Sequence, residues 1–174
     1  MTTFDTLLAE QIGHEFAASH QYVAIAVWFD DHDLPQLAGY FYRQSVEERN
    51  HAMMLVQYRL DRGMGVAIPS VPAVRNEFAD VREPIALALA QEKQVSEQIQ
   101  ALFAAARAED DGLGEQAMLW FLKEQVEEVA SMQTLLTIAE RTTNLFDIEN
   151  FVAREAGSSH ANDPGAPSAA GGAL

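Results

Sequence analysis

The sequence contains no cysteine and few basic residues, and each shortage excludes a class of protein. Without cysteine, the chain can form no disulfide, thiolate zinc site or iron–sulfur cluster. Its 11 basic residues stand against 26 acidic ones, which gives a net charge of −15 and disfavours nucleic acid as a partner. No apolar run reaches the ~20 residues of a membrane span, and the first residues lack the basic stretch of a secretory signal. We therefore expect a cytoplasmic protein with no membrane partner.

Four long segments of the chain instead repeat apolar residues at the spacing of an α-helix. They cover roughly residues 3–31, 34–62, 82–109 and 111–141, and a shorter apolar pattern covers roughly 145–155. The segment between the second and third helices contains Gly63, Gly65, Pro69 and Pro72 and is long enough to cross from one end of a bundle to the other. These features predict an all-α fold, a four-helix bundle with a long crossover and a short fifth helix.

The composition changes near the end of the chain. From Gly157 onward the sequence consists mainly of Gly, Ala, Ser and Pro, with few apolar residues that could anchor it. We therefore expect one domain over residues 1–156 and a flexible tail over residues 157–174.

Polar residues interrupt the inward-facing row of each long helix near its midpoint. Helices of similar length packed side by side share a mid-height, so these side chains should lie in one layer of the core. A buried charge must be paired or bound to metal, which favours a metal site over chance. The residues concerned are Glu15, Glu48, His51, Glu92, Gln125 and Glu128.

Glu48 and His51 form a Glu-x-x-His motif, which places both side chains on one helix face. Carboxylates with a single imidazole suit iron or manganese better than copper. We expect two ions bridged by Glu48, with Glu15 and His51 completing one site and Glu92 and Glu128 the other. Gln125 would lie at one edge as a neutral amide. A hydrogen-bonded core histidine is the alternative for His51.

Further residues adjoin this layer on the same helices. Tyr22 lies two turns from Glu15 on the same face, where it could bond a ligand, give an electron or simply pack. Glu47, Glu124 and Glu127 flank the layer on adjoining faces. They are either solvated charges or part of a third, weaker metal site.

The chain resembles the bacterial non-haem ferritins, especially those of actinobacteria, over residues 4 to about 155. The resemblance is carried by Glu15 with Tyr22, the run Glu47 to His51, Glu92, and the run Trp120 to Glu128. It implies a first iron held by Glu15, Glu48 and His51, a second by Glu48, Glu92 and Glu128, and a third by Glu47, Glu124, Glu127 and Glu128. It also implies a cage of twenty-four subunits that oxidises ferrous iron with dioxygen or peroxide and stores the ferric mineral.

The sequence departs from the bacterioferritins at two places. Their second Glu-x-x-His motif is replaced here by Gln125-x-x-Glu128, and their haem-binding methionine is replaced by Arg49. We therefore expect no haem. A di-iron oxygenase or peroxidase is one alternative, although such enzymes usually carry two Glu-x-x-His motifs. A DNA-protecting mini-ferritin is another, although this tail has no Lys or Arg after Arg154. The sequence identifies no reductant partner for iron release.

Overall fold

The computed structural model describes residues 3–156 and 163–174, and these residues form five helices and no strand. The helices are α1 Phe4–Asp31, α2 Pro35–Asp61, α3 Arg82–Ala108, α4 Gly112–Arg141 and α5 Leu145–Glu155. The predicted fold class is confirmed: a four-helix bundle followed by a short fifth helix. None of these helices is long and apolar enough to cross a membrane.

Local interactions define the beginnings of the long helices. The Thr3 side chain accepts a hydrogen bond from Thr6 N at 3.2 Å and caps α1. Asp111 accepts from Gly114 N at 3.1 Å and caps α4. Pro35 occupies the start of α2, where its missing N–H costs nothing. Asp33, which precedes this start by two residues, adopts a left-handed φ of 57° in the turn between α1 and α2. Leu34 is the capping residue and makes no side-chain bond.

The long connection between α2 and α3 runs along α1 and is tied to it. The Gln21 amide donates to Arg75 O and accepts from Arg75 N, both at 2.8 Å. Gly13 allows a close approach, because a Cβ there would lie 3.1 Å from Pro69 Cγ. As expected for a surface crossover, Ile68 is exposed. These ties place the connection across the outside of the bundle, where it leaves the mid-layer of the core undisturbed.

The apolar core consists of two clusters, one toward each end of the bundle. One contains Tyr22, Phe29, Phe41, Ile85 and Leu135, among others. The second contains Phe4, Leu8, Leu55, Ile99, Met118 and their neighbours. Each fully buried large apolar side chain contributes roughly 1.5–3 kcal/mol relative to exposure. On every long helix the polar mid-length residues fall between the two clusters, so the bundle is stabilised on both sides of a polar layer.

Residues 163–174 lie against α2 and α4. Ala170 N donates to Met53 O at 3.0 Å, and Leu174 N donates to Asn50 Oδ1 at 3.1 Å. Ala166, Ala169 and Ala170 pack against the second core cluster. These contacts use mostly backbone groups and methyls, which composition does not reveal. The start of the predicted tail, residues 157–162, lies outside the described residues, and the predicted division after residue 156 stays a prediction.

Candidate metal centre

Glu15 on α1 and Glu48 and His51 on α2 meet inside the bundle. One ligand atom from each residue lies within 4.8 Å of the other two. His51 Nδ1 is 3.5 Å from Glu48 Oε2. All three side chains are buried, and Glu48 is 0 % exposed. In the part of the chain that the structure describes, this is the one group of three such residues that meets the distance.

The carboxylates of this layer leave oxygen atoms without a hydrogen-bond donor among the described residues. These atoms are Glu15 Oε2, both oxygens of Glu48, and Glu92 Oε2. A buried polar atom without a partner costs free energy, and a buried charge costs more. Buried carboxylate oxygens that accept no hydrogen bond are suited to a hard cation. The residues present therefore fit a metal ion.

Burial and mutual repulsion raise the pKa values of the carboxyl groups in this layer. Burial, followed by repulsion from Glu92 and Glu15, raises the pKa of Glu48 well above its usual range. Burial also raises the pKa of Glu92 from 4.5 to about 7, although a hydrogen bond from Tyr22 opposes the shift. Burial and then the charge of Glu47 raise the pKa of Glu128. A bound cation would replace the protons and relieve the repulsion.

Glu92 on α3 and Glu128 on α4 are also buried, at 1 % and 6 % exposure. Their charges act on Glu48, so the carboxylates from all four long helices share one interior. Within the described residues, however, no second group of three ligands meets the 4.8 Å distance. The structure thus brings the predicted first site together more closely than the predicted second one, and the assignment of ions to residues stays a prediction.

Tyr22 is fully buried and its hydroxyl donates to Glu92 Oε1. Of the alternatives for Tyr22, this contact matches a hydrogen bond to a candidate ligand. Burial and the charge of Glu92 raise the pKa of Tyr22, so its proton stays in place. Gln125 is buried at the edge of the layer, where Ser96 Oγ donates to its Oε1 at 3.0 Å.

Sequence reasoning missed three residues that hold the layer or its adjoining outer carboxylates in place. Gln11 is buried and its Nε2 donates to Glu15 Oε1 at 2.8 Å, which orients that carboxylate and leaves Oε2 free. Ser96 links Gln125 to the backbone of Glu92. Gln44 donates to Glu47 Oε2. The available signal was spacing: Gln11 precedes Glu15 by four residues and Gln44 precedes Glu47 by three, so each pair lies on one helix face.

A cavity of 390 Å³ opens on the face formed by α2 and α4, next to the buried layer. His51 lines it, as do Lys123 and Asp163. The sequence-predicted outer carboxylates all reach this cavity; they are Glu47, Glu124, Glu127 and Glu128. The structure brings these four residues together at one cavity. Whether they hold a third ion stays a prediction.

Comparison with known proteins gives a consistent result. The chain matches the family described as "Ferritin-like domain" over residues 6–142. It is 61% identical to "Ferritin BfrB" of Mycolicibacterium smegmatis over 99% of this chain and 96% of the relative. It is 60% identical to "Bacterioferritin BfrB" of Mycobacterium tuberculosis with the same coverage. Its fold is similar to the crystal structure of an iron-soaked PmFTN variant, with a TM-score of 0.80 and 26% identity, over 84% of this chain and 96% of that one.

Proposed function

This chain belongs to the ferritin family, and we propose that it oxidises ferrous iron with dioxygen and stores the ferric product inside an oligomeric cage. In this proposal iron is both substrate and cargo. Ferrous ions enter the buried layer, give up electrons to dioxygen or peroxide, and leave as ferric iron. The proposal makes the chain a ferroxidase.

The observation that carries the proposal is the buried group of Glu15, Glu48 and His51 with unpartnered carboxylate oxygens. Charged carboxylates buried without partners destabilise the fold, and a cation relieves that cost. Carboxylate oxygens with one imidazole suit iron, and iron is the metal named in the crystal structure that the fold resembles. In the proposal Glu48 bridges two ions, Glu92 and Glu128 complete the second site, and Gln125 lies beside them.

The assembly and its location are part of the same proposal. A cage of twenty-four copies in the cytoplasm would enclose the mineral, and the exposed apolar residues of the crossover would contact a neighbouring copy. We also propose that the protein belongs to the non-haem ferritins. The support is Arg49, whose guanidinium stays protonated and has no lone pair for an axial haem ligand. The names of the two mycobacterial relatives differ on this point, since one is called a ferritin and the other a bacterioferritin.

The proposal is tested by adding ferrous iron in air to the full chain and to a variant with both Glu48→Ala and His51→Ala. Stopped-flow absorbance of ferric products should show rapid oxidation in the wild type and only the uncatalysed rate in the variant. Particle mass by light scattering should be that of a large cage in both proteins, because buried alanines replace a charged group and need not weaken the bundle.

The matched control carries Glu10→Ala and His14→Ala, a Glu/His pair on the exposed face of α1. It should oxidise iron at the wild-type rate. Wild-type oxidation in the buried-pair variant would refute the assignment of the site. A monomer or dimer with the buried group intact would favour a di-iron oxygenase or peroxidase, and a smaller shell would favour the DNA-protecting alternative.

A further inference from the structure

The described tail, residues 163–174, is connected to the buried layer through the side chain of Trp120. Trp120 Nε1 on α4 donates a hydrogen bond of 3.0 Å to Asp163 Oδ2. The Trp120 ring meets the ring of His51 edge to face, with centroids 5.8 Å apart. The tail, Trp120 and the imidazole of the candidate metal ligand therefore form one continuous set of contacts. No residue of the tail belongs to the site proposed above.

The tail is anchored at points beyond Asp163. Ala170 N donates to Met53 O, two residues after His51, and Leu174 exchanges hydrogen bonds with the Asn50 side chain, one residue before it. The helical turn that carries His51 is thus contacted on its outer side by the tail. Asp163 itself borders the cavity into which His51 opens.

Both oxygens of Asp163 already accept hydrogen bonds. Oδ2 accepts from Trp120, and Oδ1 accepts from Gly165 N at 2.8 Å. This differs from Glu15, Glu48 and Glu92, each of which keeps an oxygen without a donor. The positive charge of Lys123, which lines the same cavity, also acts on Asp163. A carboxylate with both oxygens occupied and a cation nearby is suited to hold a neighbouring side chain and poorly suited to bind an ion.

We propose that Asp163 is a positioning residue: through its hydrogen bond to Trp120 it fixes the ring that packs against His51, and so fixes the imidazole for the metal ion. This inference rests on the proposed function, because it assumes that His51 binds the ion. The mechanism resembles the support that outer partners give to metal-bound histidines, with an aromatic contact in place of a direct hydrogen bond. The tail then contributes to the affinity of a site that it does not touch.

The test measures anaerobic Co²⁺ binding to the full chain by visible absorbance, with tryptophan emission as a second signal. Asp163→Ala should weaken Co²⁺ binding by about three- to tenfold, less than the ~10–100-fold typical of a direct outer partner. Trp120→Phe keeps an aromatic ring against His51 but loses the N–H, and it should cause a loss of similar size. The double variant should be no weaker than either single one, because the two residues act through one bond.

Two further variants separate the hydrogen bond from the charge. Asp163→Asn keeps an oxygen that can accept from Trp120, so it should restore wild-type emission and bring the affinity to within a factor of about two, as expected when the bond is kept. Ser168→Ala, at an exposed position of the same segment, is the control and should match the wild type.

Four results would overturn the inference. They are wild-type affinity in Asp163→Ala, equal losses in Asp163→Asn and Asp163→Ala, additive losses in the double variant, and an unchanged emission spectrum in Asp163→Ala. Failure of the proposed function looks different, because Co²⁺ would then fail to bind the wild type or would bind His51→Ala equally well.

Discussion

The buried layer and the outer cavity use the same side chain, glutamate, in two environments. In the layer, Glu48 and Glu92 are inaccessible to solvent, keep unpartnered oxygens and have raised pKa values. Along the cavity, Glu127 is exposed and Glu47 and Glu124 are half-buried. The two regions lie against each other, and at their boundary burial, followed by the charge of Glu47, raises the pKa of Glu128.

The difference indicates that burial, more than residue type, should decide how strongly each group of carboxylates holds an ion. Water screens charges at the cavity, so an ion there gains little and can leave. In the layer, water is excluded and an ion replaces costly repulsion with attraction. We therefore expect tight binding in the layer and weak, exchanging binding outside it.

The largest expected effect is the loss of metal affinity when a ligand of the buried layer is replaced. Glu15→Ala removes a ligand and should weaken anaerobic Co²⁺ binding by more than the ~10–100-fold typical of losing an outer partner. Gln11→Ala, which removes only the bond to Glu15 Oε1, should fall within that range. Glu47→Ala on the cavity side should change affinity by about fivefold or less, because charges that water screens contribute roughly 0.2–1 kcal/mol. Titrations followed by visible absorbance measure all three, and an equal loss in Glu47→Ala would contradict the comparison.

A second effect concerns the pH dependence of stability in the metal-free protein. The pKa of Glu92 is about 7 in the folded chain and 4.5 without the environment of the fold, so between these values the folded state holds a proton that the unfolded state has lost. The free energy of unfolding should therefore fall as pH rises from 4.5 to 7. Glu92→Gln should make that slope shallower, as measured by urea unfolding at a series of pH values.

The control for this experiment is Gln94→Ala, an exposed change two residues away on the same helix. It should keep the wild-type slope. Saturating metal should also remove the slope, because the ion takes the place of the proton. A wild-type slope in Glu92→Gln would show that this carboxyl does not titrate as its burial implies.

A smaller effect, on the kinetics of iron oxidation, is expected when carboxylates of the cavity are replaced. Glu127→Ala and Glu47→Ala should leave the first rapid phase of ferrous oxidation intact, because that phase belongs to the buried layer. They should change the number of ions oxidised per dioxygen or the later turnover rate, if crowded outer carboxylates carry a third ion. Stopped-flow absorbance with an oxygen electrode measures both phases. Glu97→Ala, an exposed acid on α3, provides the comparison, and kinetics identical in all three variants would return these residues to the role of solvated charges.

The last prediction is that added haem has no effect on the absorption spectrum of the protein. Protein purified after growth with added haem should show no Soret band, because Arg49 supplies no axial ligand. One haem per two chains in the absorption spectrum would place the protein with the bacterioferritins instead.

The sequence alone determined the helices and the height of the polar layer. Apolar residues at helical spacing define α1 to α5, and the observed ends lie within a residue of the predicted ones because Pro35, Asp111 and Gly112 mark the helix starts. Helices of matched length share a midpoint, so Glu15, Glu48 and Glu92 had to fall in one layer.

Only the tertiary structure decided which atoms meet. That Glu15 keeps one oxygen bonded to Gln11 and the other free depends on side-chain rotation and on what packs opposite, which spacing does not specify. The contacts of residues 163–174 are harder still to predict, because backbone amides and methyl groups make most of them and such groups are present in every sequence. The bond between Asp163 and Trp120 joins residues 43 positions apart, and only the packed bundle brings them together. Periodicity acts along one helix, whereas a binding site is a property of several helices packed at once.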